Sequence, residues 1–236
     1  MNHLLARLQP LQLLIYGYLV LLIIGFILLQ LPFAQATEIG SLDNLFIATS
    51  ALSTTGLATV DVANSYTFFG ELVVLLLIQI GGLGYMSLGS FFVLSTKHKL
   101  SKINTDLIQT DFSLPANFST ISFVKDLVIF TILIEIIGAL LLMVIFWQAG
   151  ESGVIWKGIF HSISAFCTAG FSLFPNGFVP FQTNFGLNAV ISVLSISGAL
   201  GFIVFTDFFE SAAGRKTKIT YTSKIILRFT FLGILL

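Results

Sequence analysis

Charged residues are scarce in this 236-residue sequence: Asp, Glu, Lys and Arg make up 9% of it, whereas 56% is hydrophobic. A soluble domain carries about 25% charged residues and a disordered chain needs many charges, so the composition excludes both classes. The 11 basic and 11 acidic residues leave no net charge that would attract nucleic acid. Cysteine is nearly absent, and Cys167 alone can form neither an internal disulfide nor a zinc cage. The remaining class is an integral membrane protein.

Long stretches without charge locate the membrane spans. Residues 8–37, 72–96 and 158–206 contain no Asp, Glu, Lys or Arg. A spanning helix needs about 20 mostly apolar residues, and shorter apolar segments are typical of re-entrant helices. The sequence predicts full spans at 11–31, 68–94, 124–147 and 185–207, shorter re-entrant helices at 42–53 and 154–167, and the start of a fifth span near Thr220.

Basic residues lie almost entirely on one side of these spans. Ten of the eleven fall before the first span, between the second and third, or after the fourth, and only Lys157 falls elsewhere. Because cytoplasmic loops are rich in Lys and Arg, we expect a cytoplasmic N terminus and a cytoplasmic loop over residues 95–125. The first apolar run, which is followed by Ala34-Gln35-Ala36, resembles a secretory signal, but it exceeds the usual core of about 7–15 residues. This length favours a retained span.

An internal repeat runs through the sequence. FIATSALSTTGL at 46–57 recurs as FHSISAFCTAGF at 160–171, with five identical residues at an offset of 114, and GGLGY at 81–85 recurs as GALGF at 198–202. Matched blocks at a nearly constant offset indicate duplication. Because both copies start on the predicted cytoplasmic side, the repeats are parallel. The predicted fold is an all-α integral membrane protein of parallel span–pore helix–filter loop–span repeats, similar to a potassium channel.

This repeat divides the chain into four predicted parts. They are a first repeat over 1–97, a cytoplasmic connector over 98–123, a second repeat over 124–210, and a cytoplasmic loop with the start of a third repeat over 211–236.

The segment after each short helix is poorly suited to continue as helix. Thr54-Thr55-Gly56 combines β-branched residues with a glycine, and irregular backbone at membrane depth is tolerated only where protein buries it or water lines it. Carbonyl oxygens of such a segment can replace the water around a monovalent cation. A plain turn with a helix-capping glycine is the alternative, but two matched copies favour an ion path. The candidate filter residues are Thr54, Thr55, Gly56 and Leu57 in the first copy and Thr168, Ala169, Gly170 and Phe171 in the second.

The same segments carry a family resemblance. FIATSALSTTGLATVD at 46–61, LLIQIGGLGYM at 76–86 and HSISAFCTAGFSLF at 161–174 resemble the Trk/Ktr/HKT superfamily of potassium transporters, and within it the Ktr-type membrane subunit. The resemblance implies four span–pore helix–span repeats around one pore, with a glycine in each filter. Gly56 and Gly170 match the filter glycines of the first two repeats. A glycine there, rather than a serine, is associated in the superfamily with preference for potassium.

The resemblance also implies a function and partners. It implies potassium uptake across the cytoplasmic membrane, with sodium as a stimulating ion, by a homodimer embedded in the bilayer and regulated by a cytoplasmic nucleotide-binding ring. It implies no covalent cofactor, no metal beyond the potassium in the filter, and no enzymatic activity.

Only two repeats and the start of a third have counterparts in these 236 residues. The third and fourth filters, the gating loop of the third repeat and a basic residue of the fourth are missing from the pattern. We therefore expect either a piece of a chain about twice as long or two copies that together supply four repeats. A non-conducting truncated or structural membrane subunit is the alternative function.

Three further residues invite a functional interpretation. Glu135, halfway along the third span, is a candidate accessory ion ligand because buried acids in membranes are costly, or it bonds backbone at the start of a pore helix. Asp61 follows the first filter, and it either concentrates cations at the outer mouth or caps the next helix. His161 with nearby serines suggests an intramembrane hydrolase only weakly, because no third orienting group accompanies them.

Overall fold

The computed structural model describes residues 10–84, 120–200 and 220–235, together with residues 87, 90, 105, 106, 108, 204 and 207. Within these residues the secondary structure is helical, and no strand occurs beyond an isolated bridge between Gln35 and Tyr66. The expectation of an all-α protein is confirmed at this level. The helices are α1 (Pro10–Leu29), α2 (Ser41–Leu52), α3 (Val62–Ser65), α4 (Phe68–Leu83), α5 (Thr120–Gln148), α6 (Val154–Phe166), α7 (Phe185–Ala199) and α8 (Tyr221–Leu235).

Two helices are long and apolar enough to cross a membrane, over Gln12–Leu29 and Val124–Gln148. α4 and α7 are shorter apolar helices within the described residues. α2 and α6 have 12 and 13 residues, which is too short for a span. Isoleucines and leucines line the outside of α1 and α5, where Ile23 is 55% exposed and Leu140 is 57% exposed. Such exposed apolar faces on two long helices are suited to contact with lipid.

Several predicted features lie largely outside the described residues. They include Arg7, most of the connector 98–123 and the loop before Thr220. The expected orientation of the chain depends on the basic residues of these segments, so it stays a prediction.

Glycines set the contacts between the short helices and their neighbours. A Cβ atom on Gly81 of α4 would overlap the carbonyl oxygen of Leu52, the last residue of α2. A Cβ atom on Gly198 of α7 would overlap the carbonyl oxygen of Phe166, the last residue of α6. Close helix approach is the usual reason for small residues in membrane helices. Each crossing therefore brings a glycine of α4 or α7 against the last residue of the preceding short helix.

The two halves of the chain meet along α4 and α6. The Trp156 indole Nε1 donates a hydrogen bond to Glu71 Oε2 at 2.5 Å, and its ring lies 4.6 Å from that of Phe68. At the other end of the contact, a Cβ atom on Gly82 would lie 2.5 Å from Cys167 Sγ. Because these contacts join both ends of α6 to α4, they fix the end of α6 relative to the end of α2.

Candidate ion site at two matched helix termini

α2 ends in a tight hydrogen-bonded cap. The Thr55 amide donates to the Ser50 carbonyl at 2.9 Å, and the Thr54 amide donates to the Ala51 carbonyl at 3.1 Å. This pair of bonds is the Schellman motif, in which the residue after the C-cap adopts a left-handed conformation. Thr54 is that residue, with φ +50°. The motif bonds two of the last carbonyls of the helix and turns the chain sharply away from its axis.

α6 ends in the same way 114 residues later. The Ala169 amide donates to the Ser164 carbonyl at 2.8 Å, and the Thr168 amide donates to the Ala165 carbonyl at 3.0 Å. Thr168 has φ +54°. The predicted equivalence of the two segments thus extends to individual backbone hydrogen bonds.

Threonine is an unusual residue for this conformation. Glycine normally fills the left-handed position of a helix cap, and a β-branched residue at positive φ is a genuine outlier. Thr54 and Thr168 are the only non-glycine residues with positive φ among those that the structure describes. Such strain costs about 1–3 kcal/mol per residue and clusters at functional sites. Its occurrence twice at equivalent positions marks both loops as candidate functional segments.

The two glycines of the predicted filters lie next to each other. Gly56 has φ +81° and Gly170 has φ +72°. A Cβ atom on Gly56 would overlap the carbonyl oxygen of Ala169 and would lie 3.2 Å from Gly170 Cα, whereas a Cβ atom on Gly170 would lie 3.7 Å from Gly56 Cα. Backbone of one loop therefore packs directly on backbone of the other, and a side chain at residue 56 would prevent this contact.

The loops differ beyond the glycines. Phe171 is buried, and its carbonyl oxygen accepts a hydrogen bond from Ser164 Oγ at 2.7 Å. Its counterpart Leu57 is 62% exposed, and the buried hydroxyl of Ser50, the counterpart of Ser164, has no hydrogen-bond partner among the described residues. The bond from Ser164 to Phe171 thus has no counterpart in the first loop, where Thr55 Oγ1 lies 2.7 Å from Ser53 Oγ at the end of the helix instead.

A cavity of about 400 Å³ opens beside the paired glycines, and its walls include both of them together with Thr59, Asp61 and Ser172. The carboxylate of Asp61 accepts hydrogen bonds from the Ala63 amide at 3.0 Å and from Asn64 Nδ2 at 2.6 Å. Asp61 therefore caps α3, as the second interpretation of this residue predicts, while its charge borders the cavity.

His161 anchors the second loop. Its Nδ1 lies 2.7 Å from the Lys157 carbonyl oxygen, which can only accept, so Nδ1 donates. Its Nε2 then accepts from the Leu173 amide at 3.1 Å and lies 3.0 Å from Ser172 Oγ. Both ring nitrogens bond the protein itself, and the hydroxyls of Ser162 and Ser164 donate to backbone carbonyls. These bonds give the histidine and serines structural partners rather than the roles of a hydrolase.

The start of α2 is held by a polar pair that the sequence patterns did not reveal. The Tyr66 hydroxyl donates to Asn44 Oδ1 at 2.6 Å, and both residues are buried. Burial, with a further contribution from Asp43, raises the pKa of Tyr66, so the hydroxyl stays protonated and able to donate. The bond ties the start of α2 to the segment before α4. A buried asparagine near the start of an apolar helix is the signal that points to such a partner.

Lys157 lies near the same cavity. Its Nζ forms an ion pair with Glu151 Oε2 at 2.7 Å and lies 4.6 Å from the centre of the Phe174 ring. Phe174 also lines the cavity beside the glycines. Glu151 therefore offsets a positive charge close to the cavity.

Glu135 belongs to neither loop. It is 7% exposed on α5, and its Oε2 accepts a hydrogen bond from Gln79 Nε2 of α4 at 3.2 Å. Its recorded side-chain partner is thus a glutamine rather than backbone at the start of α6. No three His, Cys, Asp or Glu side chains among the described residues come close enough to hold a metal ion.

The termini of α2 and α6 can interact with a cation. The C-terminal end of a helix carries a partial negative charge, and carbonyl oxygens that leave the helix path can coordinate a dehydrated monovalent ion. The arrangement brings two such termini together at Gly56 and Gly170, and it favours a cation at the loops.

Comparison with known proteins points in the same direction. Residues 11–234 match the TrkH family, described as a cation transport protein. The chain is 37% identical over 227 residues to Ktr system potassium uptake protein B of Bacillus subtilis, covering 94% of this chain and 51% of that protein. It is 37% identical over 229 residues to the potassium/sodium uptake protein NtpJ of Enterococcus hirae, covering 96% of this chain and 50% of that protein. The chain spans about half the length of the curated relatives it matches.

Proposed function

The chain belongs to the TrkH family of cation transport proteins, and on that premise we propose that it carries potassium ions inward through a constriction of backbone carbonyls. The constriction is formed by residues 54–57 and 168–171. Membership makes the chain a membrane protein of a transporter family rather than of an enzyme family. Passive movement of potassium, driven by the membrane potential, is the process that the site supports best.

One observation carries this proposal: the two loops share an unusual backbone and meet at their glycines. Thr54 and Thr168 are both left-handed, and the Gly56 and Gly170 backbones are in contact. Strain of this kind persists only where the surroundings hold it in place. A pair of ordinary helix ends would place glycine at the strained position, and no contact between the two ends would be needed.

The mechanism follows from the chemistry of the backbone. A potassium ion sheds water as it enters the constriction, and peptide oxygens of both loops take the place of that water. The C-terminal ends of α2 and α6 add partial negative charge behind the ion. Since the ligands are neutral carbonyls, the ion is held weakly enough to leave on the other side.

The architecture we propose is a set of parallel repeats. Residues 1–97 and 124–210 each form a span, a pore helix, a filter loop and a second span, the connector 98–123 lies between them, and residues 211–236 begin a third repeat. Two loops enclose an ion on two sides only. A further pair of loops, from additional chain or from a second copy, completes the ring.

Ion and partner preferences are proposed from the family and its members. Two relatives are named potassium uptake protein B and potassium/sodium uptake protein, which supports potassium as the transported ion. Sodium as a stimulating ion is proposed from the family resemblance. We propose a homodimer in the cytoplasmic membrane with a cytoplasmic N terminus, regulated by a cytoplasmic nucleotide-binding ring.

A non-conducting membrane subunit is the second candidate function. It is suggested by the length of the match, because the chain aligns with only about half of each relative. Rubidium flux into liposomes that contain the purified 236-residue chain separates the two. Flux above that of empty liposomes supports a pore formed by copies of this chain. Flux equal to that of empty liposomes supports the non-conducting subunit for this chain alone.

Serine substitutions test the filter. We expect Gly56→Ser and Gly170→Ser, in an assembly that conducts, to lower the preference for rubidium over sodium by about tenfold, which corresponds to about 1.4 kcal/mol of discrimination. Gly150→Ser is the matched control, because Gly150 also has positive φ, +76°, but no atom lies within 4 Å of its Cβ position. Unchanged ion preference in both filter variants would count against the assignment.

A further inference from the structure

A buried polar pair joins the two halves of the chain behind the loops. Glu135 of α5 is 7% exposed, and its Oε2 accepts the 3.2 Å hydrogen bond from Gln79 Nε2 of α4. The backbone carbonyl of Glu135 accepts a second bond, from Ser162 Oγ of α6 at 2.7 Å. Glu135 therefore lies where α4, α5 and α6 meet.

This pair leaves two oxygen atoms without a partner. Glu135 Oε1 and Gln79 Oε1 are both buried, and neither accepts a hydrogen bond from any residue that the structure describes. An unsatisfied buried acceptor costs about 1–3 kcal/mol, and more when it is charged. The two unsatisfied oxygens thus belong to the carboxyl group of Glu135 and the amide group of Gln79, which the 3.2 Å hydrogen bond already joins.

No described cation faces the carboxyl group of Glu135 to balance a negative charge. On α6, Lys157 is paired with Glu151, both nitrogens of His161 are bonded, and Cys167 offers a buried thiol. On α4 the titratable residue is Glu71, which accepts from Trp156. α7 contains no ionisable side chain, and Lys125 and Asp126 lie more than two turns away along α5. A buried charge without a partner is strongly unfavourable.

A single proton resolves both problems. A carboxylate has acceptors only, whereas a protonated acid has one donor, and a primary amide has both donors and an acceptor. We propose that Glu135 is a proton-binding site, a neutral carboxylic acid that donates from Oε1 to Gln79 Oε1 while Oε2 accepts from Gln79 Nε2. The resulting two-point acid–amide pair satisfies both orphan oxygens and locks α4 to α5.

Such a pair lies close to the contact that positions the second loop. Gln79 is three residues before Gly82, whose Cβ position lies 2.5 Å from Sγ of Cys167. Cys167 directly precedes the strained Thr168. Ionisation of Glu135 removes the donor, leaves an uncompensated charge between the helices, and weakens their contact beside the loop. This inference does not depend on the transport proposal, because the pair is defined by α4 and α5 alone.

Infrared spectroscopy of the full chain in lipid bilayers tests the proton directly. A protonated carboxyl group has a carbonyl stretching band well separated from the bands of a carboxylate. The wild-type minus Glu135→Gln difference spectrum at pH 5.5 is expected to contain the protonated band. Glu151→Gln is the matched control, since Glu151 is paired with Lys157, and its difference spectrum is expected to contain carboxylate bands. Loss of carboxylate bands in Glu135→Gln would overturn the proposal.

A second variant tests the pairing and does not require removal of the acid. In Gln79→Leu the proton of Glu135 loses its acceptor, so the protonated carbonyl band is expected to shift. An unshifted band would show that the amide is not the partner, and this result would overturn the two-point pair.

Thermal unfolding gives an independent measurement. Glu135→Gln replaces the acid by an amide that can form the same two bonds, so its melting temperature is expected to match that of the wild type below about pH 4, where the acid is protonated in both the folded and the unfolded chain. As pH rises above about 4.3, the usual pKa of a glutamate in an unfolded chain, the wild type is expected to lose stability relative to Glu135→Gln until Glu135 ionises in the folded chain as well. Equal pH dependence of the two proteins would contradict a proton on Glu135.

Discussion

Alanine substitutions at the two paired glycines are expected to have unequal effects, although the sequence makes these positions equivalent. Both glycines have positive φ, so each alanine introduces the strain of a left-handed residue, about 1–2 kcal/mol. Gly56 carries a second constraint, because its Cβ position overlaps the Ala169 carbonyl oxygen. The nearest atom to the Cβ position of Gly170 is 3.7 Å away, which is an ordinary contact.

The size of each effect follows from these contacts. For a chain of 150–250 residues, 1 kcal/mol shifts the melting temperature by about 2–4 °C. Gly170→Ala is therefore expected to lower the melting temperature by about 2–8 °C from backbone strain alone. Gly56→Ala adds an overlap with backbone that cannot rotate away, so it is expected to lower the melting temperature further and to separate the two loops.

The assay compares three single variants in the same detergent or lipid. Gly150→Ala is the control for strain without crowding, since Gly150 has φ +76° and an open Cβ position. The expected order of destabilisation is Gly56→Ala greatest, with Gly170→Ala and Gly150→Ala similar to each other. Equal melting temperatures of Gly56→Ala and Gly170→Ala would refute the inferred contact between the loops.

Three further predictions concern the scaffold around the loops. Gly81→Ala is expected to destabilise the protein, because its Cβ would overlap the Leu52 carbonyl. Its control, Gly233→Ala in the open part of α8, is expected to raise the free energy of unfolding by about 0.5–1 kcal/mol. Equal melting temperatures of the two variants would contradict the close crossing. Tyr66→Phe leaves Asn44 Oδ1 unsatisfied and is expected to cost about 1–3 kcal/mol, while Tyr16→Phe on the exposed face of α1 serves as the control and is expected to leave the melting temperature unchanged. Glu151→Gln frees the positive charge of Lys157 near the cavity and is expected to lower rubidium uptake by about two- to fivefold, the effect of about 0.5–1 kcal/mol, with a smaller loss at high salt; an unchanged rate at low salt would refute the effect.

The positions of the short helices could be predicted well from the sequence, whereas α4 ends at Leu83 and α7 at Ala199, before the predicted ends of their spans at residues 94 and 207. The predicted short helices at 42–53 and 154–167 lie within one residue of α2 (Ser41–Leu52) and α6 (Val154–Phe166). This agreement has a simple cause: in a membrane protein, helix length and location follow from apolar runs between charges. α1 ends at Leu29, two residues before the predicted end of the first span at residue 31.

The details of the loops could not be predicted in the same way. The left-handed conformation of Thr54 and Thr168 opposes the intrinsic preference of a β-branched residue, so propensity gave no signal for it. The bond from Leu173 to His161 and the bond between Gln79 and Glu135 join residues 12 and 56 positions apart. Such partners are set by tertiary packing, which a periodic pattern in one segment does not encode.

Anomalous diffraction from crystals of a conducting assembly grown with rubidium tests the central claim most directly. The account predicts a rubidium peak within coordination distance of carbonyl oxygens from both loops, at residues 54–56 and 168–170. A peak at Glu135 or Asp61, with none between the paired glycines, would contradict the account.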